Sequence, residues 1–218
     1  LAENIHQIKR RNVLLSPIGD GSYEEVAEAQ GLEVGGWSWD VKIADFDNDG
    51  WQDVYIVNGT WVPNEVSPSN LYFRNNGDGS FSEQSGPMGL EDYLITAAAA
   101  TTDFDNDGDL DIITMPVNGP VKTFINNSKS GNAIGFDFQD MVGNRFGIGN
   151  RVEISFNNGN RQTRELQSGG GFMSIDAPVV HFGLGETTSI DAATIHWANG
   201  GVTTIDGPLS SGAIYHIK

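Results

Sequence analysis

The stretch that decides the fold reads Asp45-Phe46-Asp47-Asn48-Asp49-Gly50-Trp51-Gln52-Asp53, and it returns 58 residues later as Asp103-Phe104-Asp105-Asn106-Asp107-Gly108-Asp109-Leu110-Asp111. Each copy crowds at least four carboxylates into nine residues, and such like charges repel one another unless a cation lies between them. Hard oxygen ligands in a short loop bent by glycine suit calcium, which takes about 6–8 oxygens in flexible geometry. The sequence therefore predicts two calcium sites.

The spacing also predicts the ligands of each site. Positions 1, 3, 5 and 9 carry carboxylates in both copies, and position 7 offers a backbone carbonyl. The predicted ligands are Asp45, Asp47, Asp49, Trp51 and Asp53 in the first loop, and Asp103, Asp105, Asp107, Asp109 and Asp111 in the second. An EF-hand needs an acid at position 12, where this chain has Ile56 and Thr114, so we expect strands rather than helices around the loops. The alternative is an Asp/Asn/Gly turn that binds no metal.

The acidic loop belongs to a longer repeat with the same 58-residue offset. Residues 12–23 align without gaps on residues 70–81, Gly31-Leu32 aligns on Gly89-Leu90, and a third copy starts at Val121 and stops at Asn127. Residues 37–44 alternate polar and apolar as a half-buried strand does, and short strands are expected at 53–58, 71–74 and 81–83. Four strands per unit, repeated head to tail, are typical of a β-propeller blade.

The rest of the chain is β-rich as well. Strands are expected at 134–138, 151–156, 161–166, 179–182, 193–197 and 214–217, separated by Asn/Gly turns. The predicted fold class is all-β, with about two four-stranded propeller-type blades in residues 1–128 and a small antiparallel β-sandwich or barrel in residues 129–218.

Two blades do not close a ring, which leaves sheet faces and edges open to association. Three alternatives follow: the chain is a fragment of a longer protein, it completes a propeller with other copies, or it is a compact variant. The first twelve residues, with Ile5, Ile8 and Lys9-Arg10-Arg11, are expected to be either an arm that docks on a neighbour or the remainder of an earlier blade.

Both regions resemble known families. Residues 12–127 are similar to the FG-GAP or VCBS repeats of integrin-like β-propellers, in Ile43-Ala-Asp-Phe-Asp-Asn-Asp-Gly50 and Leu71-Tyr-Phe-Arg-Asn-Asn-Gly-Asp-Gly-Ser-Phe81. Residues from about 146 resemble the ASPIC/UnbV domain, in Gly147-Ile-Gly-Asn-Arg-Val-Glu-Ile154, Ser168-Gly-Gly-Gly-Phe-Met-Ser174 and Val180-His-Phe-Gly-Leu-Gly185. The resemblance implies a β-propeller-type extracellular protein.

Composition narrows the choice of partners. The formal net charge is −17 and the isoelectric point is near 4.3, which argues against nucleic acid or an anionic membrane surface as a partner. The chain has no cysteine, so neither disulfides nor thiolate metal sites are available, and it has no run of 18 apolar residues that could insert into a membrane. Calcium is abundant outside cells, and we therefore expect a secreted or surface-exposed protein.

No catalytic constellation stands out. His181, His196 and His216 sit in strand patterns, there is no His-x-x-x-His pair, and no Gly-x-Ser-x-Gly elbow occurs. The first functional hypothesis is a non-catalytic, calcium-stabilised protein of adhesion, matrix or surface fibres, whose partners are other protein chains or further copies of itself. The second is a carbohydrate-binding module that stacks glycans on Trp37, Trp39, Trp51 and Trp61. The third is an enzyme with a site that the sequence does not reveal.

Overall fold

The computed structural model describes residues 11–61, 68–139, 143–157 and 159–218. The first ten residues, on which most of the predicted N-terminal arm falls, lie outside this range. About 48% of the chain is strand and 2% is helix, so the all-β prediction is confirmed. The strands are β1 Leu15–Pro17, β2 Tyr23–Glu25, β3 Ser38–Ala44, β4 Asp53–Asn58, β5 Leu71–Asn75, β6 Phe81–Glu83, β7 Thr96–Thr102, β8 Asp111–Pro116, β9 Lys122–Phe124, β10 Asn132–Phe138, β11 Arg151–Phe156, β12 Asn160–Glu165, β13 Val179–Gly185, β14 Ser189–His196, β15 Val202–Ser210 and β16 Ala213–Ile217.

A single short helix, α1 (Ala27–Gln30), accompanies the strands in the described residues. It ends at Gly31, whose left-handed backbone (φ 79°) terminates the turn. No helix in the described part of the chain is long and apolar enough to span a membrane.

The repeat region forms blade-like sheets. Strands β3 to β6 make one four-stranded sheet in chain order, as the repeat pattern predicts, and β7, β8 and β9 make a second sheet with three strands. Strands β1 and β2 form a separate two-stranded hairpin. The hairpins β1–β2 and β5–β6 each turn through a Gly-Asp-Gly sequence, because glycine adopts positive φ without a steric cost.

The described residues fall into two compact units that are not continuous in sequence. The first contains the described residues that fall within 1–43, 53–99 and 114–122, and the second contains those within 44–52, 100–113 and 123–218. The predicted division at residue 128 follows the chain, whereas these units place both acidic loops, except for Asp53, in the same unit as the C-terminal strands.

The core of the first unit lies between the blade sheet and the hairpin region. Ile56 of β4 and Leu71 and Phe73 of β5 are buried together with Ala27 and Leu32, and Leu14, Val54 and Phe81 pack against them. Apolar residues contributed by three consecutive strands and the short helix therefore close this core.

In strand β3 the buried face carries the charged residues, and the apolar residues that alternate with them are exposed. Its buried face carries Asp40, Lys42 and Ala44, while Val41 and Ile43 are 43% and 60% exposed. The buried charges are tolerated because the Lys42 ammonium lies 3.6 Å from the Asp40 carboxylate, which also accepts the backbone N–H of Ala99. Alternation located the strand but did not show which of its faces is buried.

The C-terminal strands form two facing sheets with one shared core. The sheet order is β13-β10-β16 in one and β12-β11-β14-β15 in the other, and neither is closed into a barrel. Phe136, Phe182, Ile154 and Ile195 are fully or almost fully buried between them. One pairing departs from the expected antiparallel arrangement, since β10 and β16 run parallel from Ile134–Ala213 to Phe138–Ile217.

The aromatic centre of this core gives the first testable prediction. Phe136 is 0% exposed, meets Phe182 edge to face at 6.0 Å and stacks on Tyr215 at 5.8 Å. Phe136→Ala should lower the free energy of unfolding by about 3–5 kcal/mol, because the large cavity cannot collapse. Phe146→Ala, which removes a ring that is 54% exposed, is the matched control and should cost less than about 1 kcal/mol in the same urea titration. Equal losses would contradict the assigned core.

Candidate metal centre

The two acidic loops have the same backbone shape. The first follows β3 and the second follows β7, and each leads directly into the next strand of its sheet. Asn48 and Asn106 are both left-handed, with φ of 56° and 62°, and Gly50 and Gly108 follow with φ of 97° and 95°. Asparagine and glycine are the residues that tolerate this region, so the Asn-Asp-Gly sequence bends both loops in the same way.

The loops also share two internal hydrogen bonds at the 58-residue offset, whereas the N–H at position 5 donates to Asp47 in the first loop and to Asp103 in the second. In both, the glycine N–H donates to the first aspartate, and the N–H at position 7 donates to the aspartate at position 5. These bonds are Gly50–Asp45 (2.9 Å) and Trp51–Asp49 (2.9 Å) in the first loop, and Gly108–Asp103 (3.1 Å) and Asp109–Asp107 (3.1 Å) in the second.

Carboxylate oxygens converge in each loop. One oxygen from each of Asp45, Asp47 and Asp49 lies within 4.8 Å of the others, and the same holds for Asp103, Asp105 and Asp111. All six are hard oxygen donors, and three negative charges at this separation favour a bound cation. The residues present therefore fit a divalent metal ion in each loop.

The remaining predicted ligands occupy other positions around the loops. Asp53 is buried and accepts hydrogen bonds from the Tyr72 hydroxyl (2.9 Å) and the Asn75 N–H (2.8 Å). Asp107 accepts the N–H described above, and the side chain of Trp51 is 53% exposed. The structure thus brings six of the predicted carboxylates into two groups and does not bring Asp53, Asp107, Asp109 and Trp51 into them, and metal ligation by all ten residues stays a prediction.

The two loops are joined by Asn48, which the ligand spacing did not single out. Its side-chain amide donates to the Asp109 carboxylate at 2.7 Å and more weakly to the carbonyl of Gly108 at 3.4 Å. Asn48 is 1% exposed, and its Oδ1 atom is buried without a hydrogen-bond partner among the described residues. A neutral amide from one loop therefore holds a charged group of the other.

Strand β13 of the same unit contacts both loops. The N–H of Gly185 donates to the carbonyl of Asn48 at 2.7 Å, and Nε2 of His181 lies 3.2 Å from the carbonyl of Gly108. Gly183 lies between them, and a Cβ atom at that position would overlap the Asp45 carboxylate and the backbone of Asn48. The absence of side chains at Gly183 and Gly185 therefore lets strand β13 lie close to the first loop. The Gly-x-Gly spacing after His181 is visible in the sequence, but it does not by itself indicate this contact.

Two further contacts fix the carbonyl side of the first loop. The Ser130 hydroxyl donates to the carbonyl of Asp47, and the Asn126 amide donates to the carbonyl of Phe46, both at 2.6 Å. These partners lie more than seventy residues along the chain from the loop, so local sequence patterns carry no sign of them.

The burial and crowding of the acids change the pKa values of several groups in the loops. Burial raises the pKa of Asp109 to about 6, and the neighbouring Asp107 charge acts in the same direction. Burial, together with Asp107 and Asp111, also raises the pKa of Asp105. Burial lowers the pKa of His181, so its ring is neutral near pH 7, and the contact with the Gly108 carbonyl assigns its proton to Nε2.

The other candidates from the sequence are dispersed. His216 pairs with Asp137 at 2.7 Å on the surface of the C-terminal sheets. Trp39 and Trp61 stack with ring centroids 5.3 Å apart, and the Trp39 indole N–H donates to the carbonyl of Gly59. Trp61 is 62% exposed, so one face of this pair is accessible, and glycan stacking there stays a prediction.

Comparison with known proteins agrees with this architecture. A family described as an FG-GAP-like repeat matches residues 9–56 and 61–114, and a family described as ASPIC and UnbV matches residues 141–218. The chain therefore contains FG-GAP-like repeats followed by an ASPIC/UnbV domain, a combination that indicates an integrin-like extracellular domain. FG-GAP repeats are typical of extracellular or surface proteins.

Part of the chain is also similar to a curated protein. Cartilage acidic protein 1 from Xenopus tropicalis is 33% identical to this chain over 86 residues, which are 39% of the chain and 13% of the relative. The match spans only a small part of the curated relative's length.

The amide bridge between the loops gives a second prediction. Asn48→Ala should lower the free energy of unfolding by about 1–3 kcal/mol more than Asn106→Ala, because only the first substitution leaves the buried Asp109 carboxylate without its amide donor. Asn106 has the same left-handed backbone and is exposed, so the matched variant corrects for the conformational cost of alanine. Urea denaturation at fixed metal concentration measures both, and equal losses would exclude a stabilising bridge.

The raised pKa of Asp109 gives a third prediction, for protein in a chelating buffer. An acid whose folded pKa lies above its unfolded value of 3.8 binds more protons when folded, so its contribution to stability falls as pH rises from about 4 to about 6. Asp109→Asn keeps an acceptor for Asn48 but cannot ionise. The stability of this variant relative to the parent should therefore rise across that pH window and stay level above it. Denaturant titration measures the stability of both proteins. If the difference between them does not change with pH, the raised pKa of Asp109 is contradicted.

Proposed function

We propose that this chain is a non-catalytic extracellular module whose two acidic loops each bind a calcium ion and whose role is binding or assembly, in adhesion, matrix or surface fibres. The observation that carries the proposal is the duplicated loop scaffold. Two loops 58 residues apart share backbone shape and hydrogen bonds, and each gathers three carboxylate oxygens within 4.8 Å.

Calcium suits these loops better than other common divalent ions. The gathered groups are carboxylates only, whereas zinc prefers nitrogen and sulfur ligands. Magnesium demands near-ideal octahedral geometry and keeps several waters, while calcium accepts irregular sets of carboxylate and carbonyl oxygens. The carbonyls and the aspartates next to each cluster, including Asp107 and Asp109, are available to complete a larger coordination shell.

A bound calcium ion would act first on stability. It would stabilise the ionised forms of Asp105 and Asp109 against the burial and the neighbouring charges that raise their pKa values, and the free energy of binding would add to the free energy of folding. Because Gly185 and His181 contact the loop carbonyls, this stabilisation would extend to strand β13 of the same unit.

The proposed role in binding rests on the class of protein and on the character of its surface. In this proposal the acids of the loops act as metal ligands and as part of the loop scaffold, and no acid–base role is assigned to them. Val41 and Ile43 are 43% and 60% exposed on one face of a blade strand, and in this proposal they would form part of a contact with another protein. Other protein chains, including further copies, are therefore the proposed partners.

Removal of calcium is the direct test. Chelation of calcium-loaded protein should lower the melting temperature by about 10–20 °C, since saturation of two sites at about 100 times Kd stabilises by about 2.7 kcal/mol for each site. Asp45→Asn with Asp103→Asn should abolish most of this shift. Asp191→Asn, which removes an exposed acid outside the loops, should leave it intact.

Calorimetry on the same proteins should give two calcium sites for the parent and the control variant. A melting temperature that does not respond to chelation, or a response that survives the double substitution, would refute the proposal. An equal response to magnesium at the same concentration would refute the choice of calcium.

A further inference from the structure

Two amide side chains join the acidic loops, and both belong to the second unit. Asn48 of the first loop donates to the Asp109 carboxylate of the second loop at 2.7 Å. Asn126, which follows β9, donates to the carbonyls of Phe46 in the first loop (2.6 Å) and Leu110 in the second loop (3.2 Å). The loops are therefore held to each other at two points by neutral donors.

Both bridges are attached to the carboxylates that converge. Asn48 lies between Asp47 and Asp49, two members of the first group. The N–H of Asn126 donates to Asp111, a member of the second group, at 2.7 Å. A change in the position of either group of carboxylates therefore displaces a bridge to the other loop.

The buried position of Asn48 is specific to its contact with the second loop. Asn106 holds the equivalent position in that loop and has the same left-handed backbone, with φ of 62° against 56°. The side chain of Asn106 is nevertheless exposed, whereas Asn48 is 1% exposed. The bend of the loop therefore does not require a buried amide, and the contact with Asp109 accounts for it.

Order in one loop should favour order in the other. Without a cation the converging carboxylates repel one another, and a cation that gathers Asp47 and Asp49 also fixes the residue between them. Asn48 then holds Asp109 in place, so the second loop loses less conformational entropy when its own cation binds. The effect is reciprocal, because a free energy of coupling belongs to both sites.

The charge of the cations acts in the opposite direction, because a cation in one loop weakens the negative potential at the other. Each loop contains four or five aspartates, so it stays negative with a divalent cation bound. Salt screens this long-range effect, with a Debye length of about 8 Å at 0.15 M, and it screens direct contacts between buried groups much less. We therefore expect the coupling through hydrogen bonds to dominate at physiological ionic strength.

We infer that the two calcium sites bind cooperatively and that the Asn48 bridge provides most of the coupling, because it lies within one loop and bonds a charged acceptor in the other. The inference rests on the proposed function, since it requires that both loops bind calcium. Its consequence is that both loops become ordered over a narrower range of calcium concentration than two independent sites would give.

The first test is a calcium titration of the full chain at 0.15 M salt, followed by NMR at the Gly50 and Gly108 amides, which report the two loops separately. Coupling of about tenfold between sites of similar affinity gives a Hill coefficient of about 1.5. Asn48→Gly keeps the left-handed backbone but removes the bridge, and it should lower the coefficient to about 1. Asn106→Gly is the matched control and should keep the coefficient of the parent.

The second test uses Asp105→Asn, which removes one converging carboxylate of the second loop, at a calcium concentration that saturates the first loop only. Hydrogen exchange at the Asp109 amide should still slow by about tenfold when calcium is added, because the first loop orders the second. Adding Asn48→Gly should remove this slowing. The Gly200 amide, bonded to the Trp197 carbonyl in a turn of the same unit, is the internal control and should not change.

The outcomes separate this inference from the proposed function. If neither loop binds calcium, both are refuted. If both loops bind but the parent gives a Hill coefficient of about 1, or if exchange at the Asp109 amide does not respond to calcium in the first loop, the inference alone is overturned. Cooperative binding that persists in Asn48→Gly would overturn the role of the bridge.

Discussion

The repulsion between carboxylates in the two acidic loops is the constraint on which the second unit of the structure depends. Three acid side chains converge in each loop, and the fold offsets their charge with donors that cannot be titrated. Backbone N–H groups of Gly50 and Gly108 point at the first aspartate of each loop, and the Asn48 amide reaches across to Asp109. Burial, followed by the neighbouring Asp107 charge, nevertheless raises the pKa of Asp109 to about 6.

Much of the fold was predictable because the chain repeats itself. Strands β4, β6 and β11 begin and end at the predicted residues. Strand β7 lies where a strand was expected before the second loop, although its run of alanines has little strand propensity of its own. Strand β15 was missed because Asp206-Gly207-Pro208 resembles a turn. The alternation in β3 located the strand but did not show that Asp40 and Lys42, which form a buried ion pair, lie on its buried face.

The candidate site was predictable to a similar degree. Spacing alone identified the carboxylates that converge, since they lie in one short segment with a fixed bend. It did not identify Asn48 as a bridge, nor Ser130, His181 and Gly185 as supports, because these contacts join parts of the chain that are distant in sequence. Local patterns therefore give the ligands of such a site, and only the tertiary structure shows what holds them.

The parallel pairing of β10 with β16 has a kinetic consequence. The paired residues Ile134 and Ala213 are 79 positions apart, and β16 borders β10 on the side opposite β13. Contact order of this kind slows folding, because a long loop must close before the pairing contributes any stability. During synthesis on the ribosome, this sheet cannot be completed until its last strand has emerged, and until then the edge of β10 is open to chaperones and to misassembly.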